Sequence, residues 1–222
     1  KEITDDVYPN ILLNMVENPI AGEEYTFNIT VDENIHIDNV TLKYWTDVTD
    51  IQQDTMSIQD GKFYISTVQI PLNSQILHYN FAAVDSSGNR NQTTDHSKSV
   101  IDNTSPDIIS SNVSPSLTNI YLDTNFTCEV SDNINVSSVY INIFGPDDEN
   151  LGNYSMSSKE LFYYSHQFQE VGTYSYHISA VDSSGNWVKS ETNNIEVQPP
   201  KIDYIRIRKR SDNQGLALTK IT

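Results

Sequence analysis

Apolar and polar residues alternate with a period of two along most of the chain, the signature of strands with one face in a core. Tyr25, Phe27, Ile29 and Val31 form one such row, and Val40, Leu42 and Tyr44 a second. Phe126, Cys128 and Val130 form a third, and Val139, Ile141 and Ile143 a fourth. β-Branched and aromatic side chains dominate these rows, and they suit a pleated, half-buried surface. No segment keeps the i, i+3, i+4 spacing of an amphipathic helix for three turns, so helix is expected to be nearly absent.

The rows recur. Laid over the first half, the second half repeats it with a period of about a hundred residues. Thr30-Val31-Asp32-Glu33-Asn34-Ile35 falls on Glu129-Val130-Ser131-Asp132-Asn133-Ile134, with Phe27 on Phe126 in the same register. Farther on, Ala83-Val84-Asp85-Ser86-Ser87-Gly88-Asn89 falls on Ala180-Val181-Asp182-Ser183-Ser184-Gly185-Asn186. Pro9-Asn10-Ile11 and Pro106-Asp107-Ile108 open the two copies alike. About seven short strands per copy, separated by Asn, Asp, Ser and Gly clusters, predict an all-β chain of two tandem antiparallel β-sandwiches. A closed barrel is the alternative. Val31, Leu42, Val84, Val130, Ile141 and Val181 are expected between the sheets.

The repeat phase places the first module at residues 1–102 and the second at 103–198, with a joint of only a few residues that restricts their orientation. Pro199-Pro200 breaks the last strand. Residues 199–222 then alternate afresh, from Lys201 to Arg208, before Asp212-Asn213-Gln214-Gly215. That segment reads either as the first hairpin of a further module or as a C-terminal strand on the second.

The Asp-Ser-Ser-Gly-Asn turn has a physical task in each copy. Asp85 and Asp182 can accept backbone N–H groups of the turn, while Gly88 and Gly185 supply a positive φ without steric cost. A calcium role is the other reading, but the turn lacks the dense acidic alternation of a dedicated calcium loop. Asp32, Glu33, Asp38, Asp102, Asp107 and Asp132 are oxygen donors of the kind hard cations prefer. They belong to different loops, so weak, screened attraction without a formed metal cage is expected.

These motifs together resemble the immunoglobulin-like (Ig-like) repeats of large prokaryotic, particularly archaeal, cell-surface proteins. The likeness rests on the Ala-Val-Asp-Ser-Ser-Gly-Asn turn in both copies, on Asp132-Asn133-Ile134, and on the Asp102-Asn103-Thr104-Ser105-Pro106 junction. It covers roughly Pro9 to Val197. It implies Ig-like or fibronectin-III-type sandwiches with adhesive, spacing or scaffold roles, and no catalytic residues. Cys128 stands where the first cysteine of an inter-sheet pair would lie, whereas Tyr176 or Ile178 stands near the second.

Composition narrows the function classes. The 222 residues are 37% apolar, and 30 acidic against 13 basic side chains leave a formal charge of −17. A phosphate backbone or an anionic membrane would be repelled, so no nucleic-acid partner is expected. No stretch is long and apolar enough to span a bilayer as a helix, and Lys1 opens without a signal-peptide pattern, so a soluble piece of a longer, exported precursor is expected. The single cysteine, Cys128, shares a face with Phe126 and Val130 and reads as a buried filler. Eight Asn-X-Ser/Thr acceptors, at Asn28, Asn39, Asn91, Asn103, Asn112, Asn125, Asn135 and Asn153, are glycosylation candidates that agree with export.

Catalytic motifs are missing. The five histidines never fall in His-Glu-x-x-His spacing, and the chain has neither a Gly-x-Ser-x-Gly elbow nor a phosphate-cradling glycine loop. Adjacent carboxylates such as Asp5-Asp6, Glu23-Glu24 and Asp147-Asp148-Glu149 lie beside turn residues and read as solvated. No enzyme and no cofactor are expected. Two function classes stand: structural or adhesive spacers linked to further modules, with a protein or glycan ligand that the sequence does not name, or a carbohydrate-binding accessory to an extracellular enzyme. The second needs coplanar exposed rings. Of the dense aromatic sets, Phe162-Tyr163-Tyr164 with Phe168 and Tyr44-Trp45, alternation leaves only Tyr163 and Trp45 outside.

Overall fold

The computed structural model describes residues 5–200 in full, and residues 205–209 and 216–220 as backbone strands. Every regular element among them is a strand. The chain divides into two compact units, Lys1–Ser105 with Asp132–Asn135, and Pro106–Ser131 with Val136–Thr222. They are called modules 1 and 2 below.

Module 1 runs β1 (Asn10–Leu13), β2 (Glu24–Asp32), β3 (Ile37–Thr46), β4 (Gln52–Thr55), β5 (Ser57–Asp60), β6 (Phe63–Gln69), β7 (Ile76–Asp85), β8 (Arg90–Gln92) and β9 (His96–Ser99). One sheet has the order β1-β2-β6-β5 and the other β4-β3-β7-β8, with β9 also on β7. Module 2 runs β10 (Asp107–Ser114), β11 (Leu117–Asn119), β12 (Asp123–Ser131), β13 (Val136–Phe144), β14 (Asn150–Ser155), β15 (Ser157–Ser158), β16 (Phe162–Gln167), β17 (Gly172–Asp182), β18 (Trp187–Lys189) and β19 (Asn193–Gln198). Its sheets are β10-β12-β16-β15 and β11-β19-β17-β13-β14, with β18 also on β17.

Apart from β11, the two modules share one strand order, so the sequence repeat is a repeat of fold. Even a bulge recurs, between Ile37 and Asn39 in β3 and between Val136 and Ser138 in β13. Alternation predicts about seven strands per module; the count is nine and ten because Met56 and Met156 divide β4 from β5 and β14 from β15, the last strand of each module is split, and module 2 adds β11. Between β8 and β9 the hydroxyl of Thr93 accepts the Phe81 N–H at 3.0 Å, while the Thr93 N–H donates to the Phe81 carbonyl at 2.9 Å. Ser190 does the same for Ile178 between β18 and β19, at 3.0 and 2.8 Å. A side-chain oxygen thus replaces a backbone carbonyl in the ladder, and the strand is interrupted without orphaning a buried donor.

Each module has its own core. Phe27, Ile29, Leu42, Leu77, Phe81 and Ala83 are fully enclosed in module 1, where the Phe27 ring meets Tyr25, Tyr79 and Phe81 edge-on. Phe126, Ile141, Ile143, Phe168, Ile178 and Ala180 fill module 2. Of the six expected core positions, Val31, Leu42 and Ile141 are buried. Val84, Val130 and Val181 are only half-buried. Val130 keeps the inward parity of Phe126 and Cys128 and packs against the core from the end of β12. For the other two the cause is parity: along β7 the inward row is Leu77, Tyr79, Phe81, Ala83 and Asp85, so the alanine takes the core side and its valine neighbour faces out. Ala180, Val181 and Asp182 repeat the arrangement on β17.

In each module a segment that follows the first strand meets the C-terminal segment in parallel. In module 2, Leu117, Thr118 and Asn119 of β11 lie opposite Glu196, Val197 and Gln198 of β19, and the Ile120 N–H donates to the Gln198 carbonyl at 3.0 Å. Module 1 has a single parallel bridge there, Ile20 to Ile101. It is held by Ala21 N–H to Ile101 O at 2.9 Å and Ile101 N–H to Pro19 O at 2.8 Å. Beyond module 2, β20 (Ile205–Lys209) and β21 (Leu216–Lys220) pair with each other as an antiparallel hairpin in a two-stranded sheet.

Candidate functional site

The Asp-Ser-Ser-Gly-Asn turn is closed by the same set of hydrogen bonds in each module. Because Asp85 shares the parity of Ala83, its carboxylate turns inward and is only 2% exposed. One oxygen accepts the N–H groups of Ser87 and Asn89, both at 2.9 Å, and the other accepts the Asn89 side-chain amide at 2.8 Å. Asp182 receives the same three bonds, from Ser184 N–H, Asn186 N–H and the Asn186 amide, each at 2.8 Å. Gly88 and Gly185 sit at φ 89° and 94°, a region that side chains with a Cβ avoid. Burial alone would raise both carboxyls; the hydrogen bonds from the Asn amide and the turn N–H groups outweigh it and hold both below the ordinary aspartate value.

In module 1 this turn gathers further acid. Asp5, Glu33 and Asp85 each place a carboxylate oxygen within 4.8 Å of the others. Asn89 bridges two of them, its amide lying 3.3 Å from an Asp5 oxygen as well as on Asp85. The other Asp5 oxygen accepts the Val7 N–H and the Asn34 amide, at 3.3 and 3.0 Å. Glu33 accepts the Asn34 N–H through Oε1, whereas its Oε2 is enclosed without a hydrogen-bond donor. These are the module 1 residues that could hold a cation.

Sequence reasoning marked Glu33 for such a role and missed Asp5. Of the other marked acids, Asp32 pairs with Lys62. Asp102 accepts the Thr104 N–H at 3.1 Å, and Asp132 the N–H groups of Ile134 and Asn135, both at 2.9 Å. Asp38 and Asp107 lie exposed on strands.

None of the eight glycosylation candidates is buried. Asn39, Asn103, Asn112, Asn125, Asn135 and Asn153 are exposed; Asn28 and Asn91 are half-buried. The Asn91 amide already donates to the Pro9 carbonyl at 2.8 Å. Cys128 is 2% exposed with its sulfur 3.8 Å from that of Met156, and burial pushes its thiol up to about 11. A thiol so placed is a poor nucleophile. Of the aromatic sets, Tyr163 faces out, while the Trp45 ring is covered by a stacked His78 at 5.3 Å.

No family model and no curated protein sequence matches the chain. Solved structures of similar fold include a tetra-tandem repeat from the extending region of a large adhesion protein. It is 16% identical at a TM-score of 0.46, with 86% of this chain and 49% of that one covered. An amphioxus IgVJ-C2 molecule is 12% identical at 0.47, with 81% and 99% covered. Fibronectin(III)-like modules of Clostridium thermocellum CbhA are 16% identical at 0.32, with 86% and 94% covered. The class follows from strand order and antiparallel pairing within each module: the chain is an all-β tandem of Ig-like or fibronectin-III-like sandwiches.

Proposed function

We propose that the two modules are non-catalytic, load-bearing spacers of an exported or cell-surface protein. The observation that carries this reading is the parallel pairing, in each module, of a segment after the first strand with the C-terminal segment, β11 with β19 and Ile20 with Ile101. Tension applied through a module's two ends pulls parallel neighbours in opposite directions along their length. Because ladder hydrogen bonds run across the strands, such a pull loads them together in shear instead of opening them one at a time. A chain that transmits tension needs this geometry, whereas a catalyst does not. Export supplies the setting in which the exposed sequons would carry glycans.

The carbohydrate-binding alternative has less support. Sugar platforms need two or three exposed coplanar rings, and among the described residues the exposed rings of Tyr8, Phe63, Tyr121, Tyr163 and Trp187 stack on no other ring.

Single-molecule force spectroscopy on the full chain tests the proposal. Separate rupture events are expected, each releasing roughly 300 Å of chain at about 3.4 Å per residue. Module 1 should yield first, because its parallel patch is one bridge against three residue pairs in module 2. Smooth extension without force peaks would overturn the reading.

A further inference from the structure

The two modules differ along one border of their first sheets. In module 2, β10 runs beside β12 as far as Ser114, opposite Asn125. In module 1, β1 stops at Leu13, opposite Ile29, and the ladder ends on a bond from the Asn14 N–H to the Asn28 carbonyl at 3.1 Å. Asn125 is the counterpart of Thr26, because Phe126 falls on Phe27. Residues 24–27 of β2 therefore pair with β6 alone. The Thr26 N–H and carbonyl point the same way as the Asn28 carbonyl, two residues on, and bond to no backbone group among the described residues. Module 2 closes the same border with its own chain, so the fold does not require the gap.

Beside this border, against residues 14–20, lies a cleft of about 410 Å³. Met15, Val16 and Tyr25 give it an apolar side, and Glu17, Glu23 and Glu24, all exposed, give it charge. None of the three glutamates is in an ion pair among the described residues. No Lys or Arg belongs to the lining; Lys98, outside it, lies 3.4 Å from the Val16 carbonyl.

We propose that the open border of β2 takes β20 of a second copy of this chain as an added strand. Charge selects the donor. Six of the 13 basic residues but only two of the 30 acidic ones lie in residues 201–222, which leaves +4 there and −21 in residues 1–200. A strand from that segment is drawn to the glutamates of the cleft, whereas any other strand of the chain comes from the acidic part. The sequence of β20 also has the alternation the border asks for, Ile205-Arg206-Ile207-Arg208. An added strand sends alternate side chains to opposite faces of the sheet, so the isoleucines meet the side of Met15 and Tyr25 and the arginines the exposed face that carries Glu24. Among the described residues β20 pairs with β21 alone, which leaves its other side for β2. Pairing of β2 with β2 of a second copy is disfavoured, because it sets Glu23 and Glu24 of one copy against those of the other.

Sedimentation and amide hydrogen exchange on the full chain test the proposal. Association that grows with protein concentration is expected at about 0.05 M salt and should weaken at about 0.5 M. In the wild-type chain the Thr26 amide should exchange more slowly as the associated fraction rises. The donor variant, Arg206→Gln with Arg208→Gln, and the acceptor variant, Glu17→Gln with Glu23→Gln and Glu24→Gln, should each weaken association roughly tenfold, since exposed charge pairs are individually weak. Mixed together, the two variants should associate more tightly than either does alone, because the first still offers an intact β2 border and the second an intact β20. A chain that stays monomeric at low salt, association untouched by either set of changes, a mixture no tighter than its components, or association that leaves the Thr26 amide unprotected would each overturn the proposal. Slow exchange of Thr26 in a monomer would overturn it too, by placing the chain's own β20 on the border.

Discussion

Asn89 closes a ring on Asp85. Its N–H and its side-chain amide reach the two oxygens of one carboxylate, at 2.9 and 2.8 Å, and its carbonyl accepts the Asp85 N–H at 3.1 Å. Asn186 closes the same ring on Asp182, at 2.8, 2.8 and 3.0 Å.

Acid should open these rings. Both carboxyls ionise more readily folded than unfolded, so their stabilisation is complete above the unfolded value, about 3.8, and is lost as pH falls through the lower folded value. Melting temperatures measured from pH 7 downward should stay level until about pH 4 on this account and then drop. In the double variant Asp85→Asn, Asp182→Asn, the acid limb should flatten. At neutral pH, Asp182→Ala should melt several degrees lower, because two turn N–H groups lose their acceptor.

Truncating the central rings should be the costliest core change. Phe126→Ala removes a side chain that is 0% exposed and edge-on to Tyr176 at 4.8 Å, and should lose about 3–5 kcal/mol in urea unfolding. Val181→Ala, on the outward side of β17, should lose well under half as much. Equal losses would put the inward row of β17 on the wrong parity.

The native thiol should be inert. Cys128 should react with a thiol reagent at pH 8 only as fast as the chain unfolds, because burial withholds the thiolate. Replacement by Ala should cost about 1 kcal/mol, the scale of one buried group of that size. Rapid labelling of the folded chain would contradict the packing around Met156.

Calcium should act on the Asp5, Glu33 and Asp85 group as a screening ion and not as a caged one. Oxygens of Asp5 and Asp85 already accept amide or N–H donors, which leaves Glu33 Oε2 as the enclosed oxygen without one. A calcium cage needs six to eight converging oxygens. At roughly millimolar levels and about 0.15 M salt, calcium and magnesium should therefore shift the melting temperature equally and little. A rise of several degrees with calcium alone, removed by Glu33→Gln, would show a formed site.

How far the sequence reached depends on which residues carried the signal. The β-sandwich class, the repeat and the turn were legible because they are local patterns of alternation and Asp-Gly chemistry. Parity failed at Ala83-Val84 and Ala180-Val181, where two adjacent apolar residues satisfy either phase and only the inward Asp85 and Asp182 settle which faces the core. The stacking of Tyr154 on Tyr164 was not legible, because the two lie on strands of different sheets and nothing in the spacing joins them. Asp5 was missed for the same reason: its neighbours, Glu33 and Asp85, come from loops far along the chain.

The hydroxyls of Thr93 and Ser190 have a consequence for biogenesis. Two copies of one fold on a single chain meet during synthesis at high effective concentration, and a strand of one copy can insert into the other. Long, unbroken borders invite that exchange. Cutting the last strand of each copy into short pieces, with a hydroxyl standing in for a carbonyl at the cut, leaves a foreign strand little continuous backbone to zip onto. Thr93→Val and Ser190→Ala take the hydroxyl acceptor from the Phe81 and Ile178 N–H groups, the second also removing the donor to the Glu191 carbonyl, and they should raise the fraction of chains that emerge swapped and entangled.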